Sequence, residues 1–157
     1  MRRKFIQSIL LLCTASAQGR AHAADFELRP ASALNKPSSS SFYLIIFATK
    51  NCPWCAILKR DYLVHLPATR DGVNIQMLEV QIDRDLPLID FKGLSTTHKR
   101  FAKDLGVRVS PTVIAFSSNG THLGEPLVGV GIPDFYGAYL DGLIQFGIQN
   151  QRAQASI

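Results

Sequence analysis

Four residues, Cys52-Pro53-Trp54-Cys55, constrain this chain more than any other feature. They follow an unbroken apolar run, Phe42-Tyr43-Leu44-Ile45-Ile46-Phe47-Ala48, and open a segment with helical periodicity. A continuous β-favouring run is what a strand buried on both faces of a sheet looks like. Two cysteines at i, i+3 where a helix begins can close one small disulfide ring. There the first thiol meets the helix's free N–H groups, whose partial positive charge favours a thiolate. One thiol can then attack a disulfide and the other resolve the mixed disulfide. A bridge across two intervening residues restrains little chain, so the pair suits switching better than stapling.

The N-terminus has a different character. Arg2, Arg3 and Lys4 precede a mostly apolar stretch, Phe5 to Ala17, too short to span a bilayer securely. Ala21-His22-Ala23 has the small-x-small form of a signal-peptidase site. Residues 1–23 therefore read as a cleaved export signal, with the mature chain in the periplasm. The alternatives are an uncleaved membrane anchor and a lipidated Cys13, the latter disfavoured by bulky Leu12 before it. Of the 17 basic residues, cleavage removes Arg2, Arg3, Lys4 and Arg20, leaving 13 against 12 acidic ones over 134 residues. The net charge of +5 is thus largely a property of the signal. It gives no basis for nucleic-acid binding. The remaining length suits one domain with one core, and no stable membrane insertion is expected after cleavage. Only Cys52 and Cys55 remain as cysteines.

Residues 24–41, rich in Ala, Ser, Pro and Asn, read as a lead-in or linker, and 42–149 as the domain. After the first strand, Pro53 to about Leu66 reads as helix, with Ile57, Leu58, Tyr62 and Leu66 on its apolar stripe. Val73 to Asp83 alternates as a strand: Val73, Ile75, Met77, then Val80 and Ile82 after a shift. Arg84 to Leu94 looks irregular. Ser95 or Thr96 caps a helix that runs to about Leu105 and stops at Gly106. Thr112–Phe116, the turn Ser118-Asn119-Gly120 and Leu127–Val130 form a closing hairpin. A last helix starts at Pro133, with Phe135, Tyr139, Leu140, Leu143 and Ile144 inward. It frays after Ile148 into a polar tail, 150–157. The order β-α-β-α-β-β-α makes an α/β fold: a mixed central sheet with helices on both faces.

This order, with Asn51-Cys52-Pro53-Trp54-Cys55 after the first strand and Ser110-Pro111-Thr112 before the hairpin, resembles the thioredoxin superfamily and its thioredoxin fold. More narrowly it resembles the SoxW-type, thioredoxin-like periplasmic proteins. That narrowing rests on Asp90-Phe91-Lys92-Gly93 and Asp104-Leu105-Gly106-Val107-Arg108; Asn119-Gly120 and Gly129 belong to the wider pattern. The resemblance implies a cis bond at Pro111, lying against the disulfide, with Ser110 pairing to substrate backbone. It also implies a thiol–disulfide oxidoreductase that needs no cofactor, with Cys52 as nucleophile and Cys55 as resolving thiol. Trp54, Ser110 and Pro111 would shape the substrate groove. The expected partners are a disulfide-containing protein substrate and a membrane dithiol electron donor, in sulfur-compound oxidation or cytochrome c maturation. The expected direction is reductive, the rival being a thiol oxidase or isomerase on the same fold.

Three departures stand out. Thioredoxins carry a buried carboxylate six residues before the first active-site cysteine, and here that position is Ile46. Ala48 and Asn51 replace flanking aromatics. Arg84 to Leu94 lengthens the crossover. Lys50 either stabilises the Cys52 thiolate or is simply solvated. A second rival class is a non-catalytic metal-binding or adaptor protein. Cys52 and Cys55 would supply half a zinc site, but His65, His98 and His122 are scattered and form no ligand pair, so no metal site is expected.

Overall fold

The computed structural model describes residues 28, 30–35, 41–131 and 133–155. The export signal at 1–23 and most of the lead-in lie outside the described residues. Among the described residues, seven strands and three helices follow in order: β1 Ser41–Ala48, α1 Pro53–Asp61, β2 Thr69–Arg70, β3 Val73–Gln81, β4 Pro87–Ile89, β5 Ser95–Thr97, α2 His98–Asp104, β6 Thr112–Phe116, β7 Leu127–Val128 and α3 Pro133–Ala155. Five strands form one mixed sheet in the order β2-β3-β1-β6-β7, with β1 parallel to β3 and antiparallel to β6. This is the thioredoxin fold that the resemblance implied.

β1 is central, and every one of its residues is buried. Its period of two divides the core. Phe42, Leu44 and Ile46 pack with Leu58 of α1 and with Leu140, Ile144 and Ile148 of α3. Tyr43, Ile45 and Phe47 pack on the other side with Leu34, Leu88, Phe101 and Phe116. Each such side chain contributes about 1.5–3 kcal/mol by leaving water. That packing, rather than intrinsic propensity, stabilises the nine-residue α1, since isolated helices of this length are marginal.

Local differences from the sequence reading have identifiable causes. The first helix ends at Asp61, not near Leu66; a single 3-10 turn, Leu63–His65, finishes the run before Pro67. The segment Arg84 to Leu94 is not irregular throughout. It contains β4, which pairs antiparallel with β5 around a turn held by Asp90, whose carboxylate accepts the N–H groups of Lys92 and Leu94 at 2.9 and 2.8 Å. Ser95 and Thr96 are occupied in that pairing with Ile89 and Leu88. The α2 cap therefore falls to Thr97, whose hydroxyl accepts the Arg100 N–H at 3.3 Å. The stop at Gly106 holds: its φ is +73°, and Gly106 and Val107 donate back to the Lys103 and Ala102 carbonyls, the paired bonds of a Schellman ending.

On α3 the buried stripe is Tyr136, Leu140, Leu143, Ile144 and Ile148, while Phe135 and Tyr139 are 59 and 58 % exposed. Both were expected to face inward. The stripe is set instead by spacing from Tyr136, whose ring meets Tyr62 edge-on with centroids 5.1 Å apart. α3 also runs on to Ala155, past the point where fraying was expected. Gln151 is buried there, and Arg152 donates to the Asp71 carbonyl at 2.6 Å, so this last turn packs on the domain instead of fraying.

Part of the lead-in is docked. Ala31 N–H donates to the Glu79 carbonyl, and Leu34 and Ser32 exchange bonds with Ile89, all at 2.8–2.9 Å. Residues 30–35 thereby join β3 to the β4–β5 hairpin. Among the described residues, no helix is long and apolar enough to cross a membrane.

Candidate active site

Cys52 stands at the N-cap of α1, with Pro53 in the first turn where a missing N–H costs nothing. Cys52 and Cys55 are joined by a disulfide, their Cα atoms 5.2 Å apart. The two sulfurs have unequal access: Cys52 is half-buried, Cys55 only 3 % exposed. An incoming sulfur meets Cys52 first. The Cys55 N–H donates to Cys52 Sγ at 3.0 Å, so the helix's free donors do face the outer sulfur.

Ser110, on the loop before β6, reaches the same place from 58 residues away. Its Oγ lies 3.2 Å from Cys52 Sγ and 3.1 Å from Cys55 Sγ, and accepts the Thr49 N–H at 3.0 Å. The Ser110–Pro111 bond is cis. Gly129 N–H, after β7, donates to the Pro111 carbonyl at 2.7 Å and ties this loop to the edge strand. Three chain segments thus converge on the disulfide: the end of β1, the start of α1 and the loop before β6.

Trp54 is 54 % exposed beside the disulfide. Val109 and Val128 are exposed as well, and line with Leu105, Val107 and Ile114 an apolar hollow of about 200 Å³. Lys50 is exposed, and its backbone N–H donates to the Asp83 carboxylate at 3.2 Å. The groups that touch Cys52 Sγ are neutral donors, the Cys55 amide and the Ser110 hydroxyl.

Ile46 is fully buried, and opposite it on β3 stands Glu79, only 5 % exposed. Glu79 makes an ion pair with Lys59 and accepts a bond from the Gln81 amide at 2.9 Å. Lys59 lies four residues after Cys55, on the same face of α1. A carboxylate therefore does sit under the redox helix, supplied by the neighbouring strand. Sequence reasoning tested only the position in β1 and so missed it. It also assigned Ser110 through its backbone alone; a hydroxyl residue just before a proline of this kind was the available signal. His65 is exposed on the 3-10 turn. Among the described residues, no group of three or more His, Cys, Asp or Glu is placed to hold a metal ion.

The profile of the thioredoxin-like domain matches residues 31–140. No curated protein matches the sequence. Solved structures similar to the chain include thioredoxin f2 of Chlamydomonas reinhardtii, at 17 % identity over 69 % of this chain and 84 % of that one, with a TM-score of 0.46. Spinach chloroplast thioredoxin f, in its short form, has 18 % identity over 80 and 96 % with a TM-score of 0.46. A thioredoxin-fold protein from Helicobacter pylori has 16 % identity over 77 and 94 % with a TM-score of 0.44. A close cysteine pair on such a domain supports thiol–disulfide oxidoreductase activity. With a profile that spans more than half of its 157 residues, the chain belongs to the thioredoxin-like domain family.

Proposed function

We propose that this chain is a periplasmic reductase of protein disulfides, in which Cys52 attacks and Cys55 resolves. The observation that carries the roles is the unequal access of the two sulfurs at the start of α1. In the reductive direction the Cys52 thiolate attacks a substrate disulfide and expels one substrate thiol. Cys55 then attacks Cys52 Sγ and expels the second, so two electrons pass to the substrate and the Cys52–Cys55 disulfide forms. Trp54, Val109 and Val128 offer apolar surface to the substrate chain beside Ser110 and Pro111. A membrane dithiol carrier returns the electrons. The motifs at Asp90–Gly93 and Asp104–Arg108 favour a SoxW-type setting, sulfur-compound oxidation or cytochrome c maturation.

The direction rests on what touches the sulfur. A strong oxidant of this type stabilises its reduced form by holding a very acidic thiolate. Here Pro53 and Trp54 bring no charge between the cysteines. A helix N-terminus contributes only about 0.3–1 kcal/mol at an exposed site. Since about 30 mV corresponds to roughly 1.4 kcal/mol for a two-electron couple, that term moves the potential little. The expected result of equilibration with glutathione buffers is a potential near the reducing end, about −270 mV rather than about −120 mV. One observation favours the oxidase reading: the Ser110 hydroxyl is a further donor to Cys52 Sγ. A measured potential near the oxidising end selects that reading.

The periplasmic setting rests on Arg2–Lys4, the apolar stretch and Ala21-His22-Ala23. N-terminal sequencing of the protein from fractionated native cells is expected to start at Ala24. An intact Met1 chain in the cytosol would overturn the compartment and, with it, the membrane electron donor.

A further inference from the structure

We infer that Ser110 is a third catalytic residue, whose hydroxyl holds Cys52 as the thiolate and carries the proton of Cys55 to the departing substrate sulfur. The inference rests on the roles proposed for Cys52 and Cys55. A hydroxyl has one hydrogen to donate and two lone pairs to accept with. In the disulfide state Thr49 N–H occupies one lone pair, and the hydrogen points to the two bonded sulfurs, Cys52 Sγ at 3.2 Å and Cys55 Sγ at 3.1 Å. Neither sulfur of the disulfide has a hydrogen to give the second lone pair. Only reduction fills that place, when Cys55 becomes a thiol. The arrangement is then complete: Cys55 S–H to Ser110 Oγ, and Ser110 O–H to the Cys52 thiolate. Once the S–S bond opens and the sulfurs part, the site fits the thiol–thiolate state.

The same arrangement balances the resolving step. Cys55 is nearly closed to solvent, so water is poorly placed to take its proton. As Cys55 attacks Cys52 Sγ, its S–H bond breaks and Ser110 Oγ takes the proton. Ser110 gives its own hydrogen to the substrate sulfur leaving Cys52. The Cys55–Cys52 bond forms, the Cys52–substrate bond breaks, two electrons go to the substrate, and Ser110 ends unchanged. The Thr49 N–H keeps Oγ aimed throughout.

The test compares wild-type protein with Ser110→Ala, and with the isosteric pair Ser110→Thr and Ser110→Val, which differ from each other only in the hydroxyl. The first readout is the pH profile of Cys52 alkylation in reduced protein. The profile should move to higher pH in the Ala and Val variants, with about tenfold less thiolate at a fixed pH, and return in the Thr variant. The second readout is thiol release from a Cys52 mixed disulfide loaded in acid and followed after a jump to neutral pH. With glutathione as leaving thiol, whose thiolate needs a proton, release should slow about tenfold in the Val variant. With 2-nitro-5-thiobenzoate, which leaves as a stable anion, the slowing should be smaller. Superimposable pH profiles, or equal slowing of both leaving groups, overturn the relay. A merely structural Ser110 gives that pattern. If the wild type releases neither thiol, the exchange roles of the cysteines fail and the relay fails with them; if it releases both and Ser110→Val matches it, only the relay fails.

Discussion

Cys52→Ser is expected to abolish reduction of an insulin-type protein disulfide, down to the rate set by the assay's small-molecule thiol. Cys55→Ser should still attack and then stall, accumulating a mixed disulfide on Cys52 that appears as an added mass on a non-reducing gel. The asymmetry follows from access: Cys52 caps α1 at the surface, while Cys55 lies one turn inward and nearly closed to solvent. Loss of fold does not explain such a result, because a disulfide closing so short a loop stabilises by only about 2 kcal/mol. Limiting alkylation of the reduced protein should label Cys52 first. Prior labelling of Cys55, or a mixed disulfide trapped by Cys52→Ser instead, would reverse the roles.

The largest stability loss is expected from a residue away from the sulfurs. His98 is wholly buried at the start of α2. The Gln81 N–H donates to its Nδ1 at 2.9 Å, which places the ring hydrogen on Nε2; Nε2 then donates to the Ala31 carbonyl at 2.6 Å. One ring thus joins the end of β3, the start of α2 and the docked lead-in. His98→Ala opens a cavity and leaves the half-buried Gln81 N–H and the buried Ala31 carbonyl without their partner, together about 3–5 kcal/mol. That is a large share of the 5–15 kcal/mol typical of a whole domain. Urea melts of the oxidised protein check the magnitude. Hydrogen exchange checks the place: the amides of Ala31 and Leu34 should lose protection well before those of β1. A variant within about 1 kcal/mol of wild type would show that the clasp carries little.

His98 also shows where reading the chain stops. As a residue in the sequence it is one of three scattered histidines after residue 23, with no partner spacing. Its function in the fold needs Gln81 and Ala31, which lie 17 and 67 residues away. The β4–β5 hairpin was illegible for a related reason. Pro87 and Gly93 break local periodicity, and the strands are only three residues long, so their pairing shows only when both are in place. On α3, the apolar residues at 135, 136, 139, 140, 143 and 144 make a stripe wider than one face. Which edge turns inward is settled by the partner surface, here Tyr62 and Phe42; the latter's ring lies so close to Gly147 that a Cβ there would approach it to 2.9 Å.

By itself the sequence determined what local chemistry can specify. An unbroken β-favouring run made β1 the central strand. Cysteines at i, i+3 beside Pro53 put a disulfide at a helix N-terminus. Asn119-Gly120 turned the closing hairpin, where Gly120 has a φ of +87° and its α-carbon lies against the Phe91 ring, leaving no room for a side chain. These signals act within a few residues, so they survive without a fold. The tertiary structure decided which distant groups meet: the Ser110 hydroxyl on both sulfurs, Glu79 beneath α1 and His98 between three segments. Such meetings depend on strand register and on the packing of elements far apart in the chain, and no spacing in a single sequence encodes them.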